Sequence, residues 1–355
     1  MAPSPLSQQQ AKELLAHIAA SFDQKPFTPH RMFRNGHAQT FASYLWPRRS
    51  KYQANDEERL FEVASDVKLL AHCRWQKDRK ANPTIVLWHG MEGSTDSVYM
   101  LAIAHKGFKL GFNVIRVNLR NCGGTEHLTP TLYHAGLSSD LRAVANELIE
   151  RDGLDRLFMV GYSLGGNLVL KLAGEYAENP PPQIVGICAV SPSVDLSASA
   201  QEINRRSNWI YQRDFLRRMR KRIYVKKRYF PDLYDLSKLK GARSIRAFDE
   251  LYTSKAHGFK NADDYYSQSS SIRVVQNIRI PTLVIHAEDD PFIPFAPLKN
   301  PVFTENPYIL FLATAQGGHV AFVGANGGGE DRFWAENRVV EFCVLTNEAL
   351  TNVTS

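Results

Sequence analysis

Cysteine is scarce and scattered in this chain of 355 residues: Cys73, Cys122, Cys188 and Cys343 lie far apart, and no two stand at C-x-x-C spacing. That pattern argues against a disulfide framework and against a thiolate zinc site, and it suits a reducing compartment. No apolar run approaches the ~20 residues that a membrane-spanning helix needs. The opening stretch, MAPSPLSQQQAKELLAHIAASF, has no basic segment followed by an apolar core, so it does not read as a secretory signal. The expected location is the cytoplasm. Internal repeats and low-complexity segments are also missing. What remains is an ordinary globular composition, 44% hydrophobic, in a chain long enough for an α/β core carrying an inserted cap.

Charge is less ordinary. The formal net charge is +7, and between Arg205 and Arg228 there are eleven Lys or Arg against one acid, Asp214. Three readings compete for this stretch. It is a solvated helix face, or a patch that makes weak contact with an anionic membrane surface or an acidic ligand, or a nucleic-acid surface. Nucleic acid is the least expected of the three.

Apolar, β-branched runs alternate with helix-period stretches from about residue 60 onward. LFEVA and LLAHCRW read as an opening hairpin. TIVLWHG, NVIRVNLR, RLFMVGYS, QIVGICAVS, PTLVIHAE and YILFLAT read as strands, several of them apolar throughout. Helical patterns fall between them, among them SSDLRAVANELIERDG, with a serine cap at its start and a glycine at its end. Continuous apolar strands alternating with helices imply a mainly parallel sheet covered on both faces. The rhythm breaks at 197–276, which is basic and aromatic without a clear strand and reads as a helical cap inserted into the core. The expected organisation is therefore an N-terminal extension, 1–58, packed on a core formed by 59–196 and 277–355, with the cap at 197–276. The extension contains an odd polar-aromatic stretch, FRNGHAQTFASYLWPRR.

One motif carries chemistry. Gly161-Tyr162-Ser163-Leu164-Gly165 fits G-x-S-x-G, and it stands between the strand RLFMV and the helix LGGNLVLKLAGEYA. This strand–turn–helix setting is the one a nucleophile elbow needs, with glycines beside the serine because side chains there would clash. A serine hydroxyl also needs a base, and the base needs a partner to fix its tautomer. In the α/β-hydrolase fold the chain order is serine, acid, histidine. Downstream, VIHAEDDPFIP places Glu288, Asp289 and Asp290 at the tip of a strand, where catalytic groups gather in open α/β sheets. Asp290, which directly precedes the loop proline and the apolar FIP, is the chosen acid, and Asp289 stays open as the alternative. His319, in AQGGHVAF, is the only histidine after His286. The backbone N–H groups of Met91, in LWHGMEGS, and of Leu164 are the expected oxyanion donors. His89 lies at the wrong place in the chain order for a base and reads as a loop-shaping residue. Cys122 and His134 read as structural.

The segments NGHAQT, HGMEGSTDS, NLRNCGGTE, LYHAGLSSDL, VGYSLGGN, HAEDDPFIP and GGHVAF together resemble the YheT-like branch of the α/β-hydrolases, from about Phe33 to the final helix. The resemblance implies the α/β-hydrolase fold, the triad Ser163, Asp290 and His319, action on small-molecule acyl esters of short to medium chain or lipid-like character, and no metal or organic cofactor. Two positions depart from the pattern of that branch. Asn121 stands where RGCGG has glycine, and Ala38 stands where HLQT has leucine. The same acyl-enzyme would serve an acyltransferase that uses an alcohol in place of water, and a non-catalytic binding protein on a hydrolase scaffold is a further alternative.

Overall fold

The computed structural model describes residues 6–46, 56–325 and 329–354. Residues 1–5 of the N-terminal stretch, and Pro47, Arg48 and Arg49 at the end of FRNGHAQTFASYLWPRR, lie outside the described residues.

The hairpin comes first. β1 (Glu57–Ala64) and β2 (Val67–Arg74) pair antiparallel, with Asp66 at φ 59° in the turn. Then follow β3 (Thr84–Trp88), β4 (Asn113–Val117), β5 (Leu157–Tyr162), β6 (Ile184–Val190), β7 (Thr282–Ala287) and β8 (Ile309–Thr314). Together they make an eight-stranded sheet in the order β1-β2-β4-β3-β5-β6-β7-β8. β2 meets β4 antiparallel, and every later pairing is parallel. β3 to β7 are buried at every position. A strand covered on both faces has no solvent side for a polar side chain, which is why these segments are mainly apolar rather than alternating, and why buried exceptions are bonded, Arg116 to Asp56 at 2.6 Å and Asn113 to Thr84 at 3.0 Å.

Successive side chains leave a strand on opposite faces. Val86 and Trp88 of β3 join one apolar cluster with α4 (Ser138–Glu150) and α5 (Leu164–Tyr176). Ile85 and Leu87 join another, with α1 (Gln8–Asp23), α3 (Val98–Lys109) and the closing helix Trp334–Thr354. α1 is thus part of the core, burying Ala11, Leu14, Leu15, Ile18 and Phe22. It begins with a capping box, in which Ser7 and Gln10 satisfy each other's backbone N–H groups. α2 (Gly36–Leu45) begins at Asn35, whose side chain accepts from the Ala38 N–H at 2.8 Å.

The serine expected to cap α4 does not do so. Leu137 occupies the cap position, and Ser138 Oγ instead donates to Glu175 of α5 at 2.6 Å. The tie between neighbouring helices has won over the local cap.

Between β6 and β7 the described chain holds helices and turns and no strand. α6 (Leu196–Ile203) leads to the long α7 (Trp209–Tyr229). The inner side of α7, with Leu216, Met219 and Ile223, packs into a separate apolar cluster with Leu132, Tyr234, Phe248, Phe292 and Ile293. Phe292 and Ile293 stand in the loop after β7, so the cap rests on the C-terminal edge of the sheet. No helix among the described residues is long and apolar enough to cross a membrane.

Candidate active site

β5 runs fully buried into Ser163, where the chain turns sharply into α5. Ser163 adopts φ 54° and ψ −115°, a conformation that L side chains avoid. The glycines flanking it are fixed by space. A Cβ on Gly161 would stand 2.1 Å from the Gly165 carbonyl oxygen, and one on Gly165 would stand 2.4 Å from that of Trp88. Both obstacles are backbone, so neither can swing away.

His319 follows β8 on a loop that returns to this turn. Its Nε2 lies 2.9 Å from Ser163 Oγ, and its Nδ1 lies 2.8 Å from Asp290 Oδ2. The other carboxylate oxygen of Asp290 accepts from the N–H groups of Phe292 (2.8 Å) and Ile293 (3.0 Å). Burial pushes this carboxyl group up, but the charge and hydrogen bond of His319, with His286 and the Phe292 N–H, outweigh it and hold the group below the usual carboxylate range. Asp289 points elsewhere. Its Oδ1 accepts from the Gly318 N–H at 2.8 Å, its Oδ2 is buried without a hydrogen bond, and burial raises its pKa. Of the two candidate acids, the structure brings Asp290 to the imidazole and gives Asp289 to the loop that carries it.

That loop has a second support, which sequence reasoning missed. The His319 N–H donates to Thr40 Oγ1 of α2 at 2.9 Å, and Thr40 in turn donates to the Gly36 carbonyl at 2.6 Å. Gln39 accepts from the Val323 N–H at 2.8 Å and donates to the Val323 carbonyl at 3.1 Å. Gly36 lies so close to the acid loop that a Cβ would stand 1.8 Å from the Asp289 carbonyl oxygen. NGHAQT therefore buttresses both the loop of Asp289 and Asp290 and the loop of His319. The signals in the sequence were the odd polar-aromatic stretch around it, outside the α/β rhythm, and its place among the segments that resemble the YheT-like branch.

The loop after β3 lies on the other side of the serine. A Cβ on Gly90 would be 3.0 Å from Ser163 Cβ. His89 is fully buried, which pushes its pKa down to about 4, so the ring is neutral. Its Nε2 accepts from the Leu119 N–H (3.0 Å), so its proton sits on Nδ1 and is donated to the Gly90 carbonyl (2.7 Å). His89 thus shapes the loop through backbone bonds. The Met91 N–H meets no acceptor among the described residues. Leu164 opens α5, so its N–H is among those that a helix leaves without an internal partner. Leu164 directly follows Ser163, and Met91 directly follows Gly90, which packs against that serine.

The remaining wall is aromatic. Phe292 packs against the His319 ring with centroids 4.7 Å apart, Tyr211 of α7 packs on Phe292 at 4.5 Å, and Phe41 of α2 stacks on Tyr211 at 5.3 Å. Cys122 is buried, which pushes its thiol up to about 12 and leaves no thiolate for nucleophilic work. His134 Nδ1 accepts from the Gly136 N–H at 3.1 Å, tying its own loop. Among the described residues, no group of three or more His, Cys, Asp or Glu is placed to hold a metal.

The basic stretch is not one uniform face. Arg222 and Lys226 turn inward. Lys226 Nζ is held by the carbonyls of Glu126 and Thr129, and Arg222 grips Glu92, the residue after Met91, at 2.6 and 2.8 Å. Asp214 is bonded by both Arg217 and Arg218. Asn121, one of the two departures from the family pattern, sits at φ 62°, a left-handed conformation that asparagine tolerates better than other non-glycine residues.

Comparison with known proteins gives a consistent picture. The sequence profile of the α/β hydrolase fold matches residues 83–325. The chain is 31% identical to YheT of Escherichia coli, a protein named as an esterase, with the match covering 91% of this chain and 94% of the other. It is also 31% identical to a monoacylglycerol lipase of Saccharomyces cerevisiae over 76% of its own length, spanning 61% of that longer protein. Among solved structures, an esterase of Pyrococcus furiosus superposes with a TM-score of 0.54 at 17% identity, covering 90% of this chain and 97% of the other.

Proposed function

The chain belongs to the YheT-like branch of the α/β-hydrolase family, and from that premise we propose that it cleaves carboxylic esters through an acyl-enzyme on Ser163. The observation that carries the reading is the continuous relay from Ser163 Oγ through His319 to Asp290, with links of 2.9 and 2.8 Å. Both fall within the reach that proton transfer requires.

In this mechanism Ser163 Oγ attacks the acyl carbonyl while His319 Nε2 takes its proton. Asp290, ionised and anchored by two backbone N–H groups, keeps the His319 proton on Nδ1 and stabilises the imidazolium that forms. The carbonyl oxygen gains negative charge opposite the N–H groups of Met91 and Leu164. Collapse expels the alcohol, which takes the proton from His319. Water then attacks the acyl-enzyme with His319 as base, and the acid leaves. The strained backbone at Ser163 presents the hydroxyl clear of its neighbours, a cost carried by the packing of Gly161 and Gly165.

The acyl group proposed is apolar, of short to medium chain or lipid-like. Support comes from the wall of Phe41, Tyr211 and Phe292 beside His319 and from the apolar cluster beneath the cap. Beside that wall, Leu45, Trp209 and Ile210 are exposed, and α7 presents Arg213, Arg217 and Lys221 on its outer side. This combination supports a weak contact with anionic lipid surfaces. The four free, buried thiols fit a cytoplasmic setting.

The test is direct. A fluorophosphonate probe should label the wild-type protein and not Ser163→Ala, and p-nitrophenyl esters of rising chain length should be turned over by the wild type alone. A wild-type protein that neither labels nor hydrolyses any of these esters refutes the reading.

A further inference from the structure

We propose that Arg222, delivered by the cap, is a positioning residue for the oxyanion donor Met91. The proposal rests on the esterase reading and on the geometry of one peptide group. The Gly90 carbonyl accepts from His89 Nδ1 at 2.7 Å and from the Gly93 N–H at 3.0 Å. In a trans peptide the N–H points opposite to the C=O, so these bonds direct the Met91 N–H the other way, out of its own loop. They secure only the upstream side of Met91.

The downstream side depends on Glu92, a non-glycine residue at φ 58°. Left alone, such a residue relaxes toward negative φ. Its side chain, 4% exposed, holds it there. One carboxylate oxygen accepts from Arg222 Nη1 (2.6 Å) and Tyr133 OH (2.9 Å), and the other accepts from Arg222 Nη2 (2.8 Å). The Glu92 N–H donates to the same Tyr133 hydroxyl at 3.3 Å, and the guanidinium lies 4.8 Å from the centroid of the Tyr133 ring.

Arg222 makes a further bond, from Nε to the carbonyl of Asn121 at 3.2 Å. Asn121 is also left-handed, at φ 62°. One guanidinium therefore braces two strained loop residues on two different connections, after β3 and after β4. The planar fork matches the carboxylate in a way that an ammonium group cannot. The cap is thereby coupled to the oxyanion loop as well as to the substrate side of the site.

The experiment measures p-nitrophenyl ester turnover for Arg222→Met, Arg222→Lys, Glu92→Gln, the Arg222→Met/Glu92→Gln double variant and, as a control, Lys238→Ala at an exposed position of the cap. Turnover is expressed per folded molecule, counted by endpoint fluorophosphonate labelling. Because losing one oxyanion donor costs about 10²–10³ in kcat, misaiming one should lower kcat about 10- to 100-fold in Arg222→Met, with KM within about twofold. Glu92→Gln, which keeps the shape, should lose a similar amount. The double variant should lose no more than the worse single variant, because both remove the same brace. Arg222→Lys should recover part of the loss, and Lys238→Ala should match wild type. If Arg222→Met folds poorly, Arg222→Lys and Glu92→Gln still carry the test. A merely structural role predicts less folded protein with unchanged kcat per labelled site, and that outcome overturns the proposal. So does additive loss in the double variant. A wild type that neither labels nor turns over would instead refute the esterase reading itself, independently of Arg222.

Discussion

Replacing Asp290 with asparagine tests the relay at its most specific point. The two residues have nearly the same shape, so the test concerns protons rather than packing. In the wild type, Asp290 Oδ2 accepts from His319 Nδ1, while Oδ1 holds the N–H groups of Phe292 and Ile293. Asparagine can keep its oxygen under those two N–H groups. Its amide nitrogen then faces Nδ1, and a donor there forces the imidazole proton onto Nε2, toward Ser163. His319 can no longer act as the base. A wrong tautomer in an otherwise intact triad costs about 10⁴ in kcat, or about 5.4 kcal/mol at 1.36 kcal/mol per tenfold. Asp289→Asn is the built-in comparison. Its oxygen still accepts from the Gly318 N–H, and its second carboxylate oxygen had no hydrogen bond to lose, so a loss within about tenfold is expected. Steady-state turnover of a p-nitrophenyl ester, with thermal unfolding to show that both variants fold, measures the ranking. If Asp289→Asn is the more damaged of the two, the acid is misassigned and the tautomer argument fails with it.

Three further outcomes follow from the same geometry. Thr40→Val removes the acceptor of the buried His319 N–H; it should destabilise the protein by about 1–3 kcal/mol and lower kcat, while Thr40→Ser retains both, as read by thermal unfolding and ester turnover; equal behaviour of the two variants would remove α2 from the site. Asp249 is buried and bonded by Thr253 and Tyr266, and burial raises its pKa to about 6; since the folded state then holds a proton that the unfolded chain releases near pH 4, this group makes stability fall as pH rises from about 4 to about 6, by at most about 3 kcal/mol, and urea unfolding of Asp249→Asn should show that slope flattened. Sedimentation with anionic vesicles should show binding that weakens steeply with salt and is lost when Arg213, Arg217 and Lys221 are neutralised, with turnover of a soluble ester unchanged; salt-independent binding, or none, counts against a lipid-facing α7.

The legible part of this protein was the part written in local pattern. Strands buried on both faces leave continuous apolar runs, and β3 to β7 could be read from them. Ser163 announced itself through glycines that the backbone of Gly165 and Trp88 makes obligatory. His319 was reachable by chain order alone. Choosing between Asp289 and Asp290 depends on which way each side chain leaves one tight turn, and composition does not record that. Ser138 looked like a helix cap because that serine pattern is local, but its partner proved to be Glu175, 37 residues on. Arg222 was hidden in a run of similar charges, since nothing in RRMRKR says which arginine faces inward or that a glutamate 130 residues earlier receives it. Thr40 was hidden for the same reason at greater range.

The Thr40–His319 bond joins positions 279 residues apart, while the Ser163 turn is completed by contacts with β3, α5 and β6. The groups of the proposed relay are therefore held together by contacts that span most of the sequence rather than by any one segment. A fragment that stops short of His319 would keep the Ser163 turn but lack the base of the proposed reaction, and one without α2 would leave the His319 N–H without Thr40.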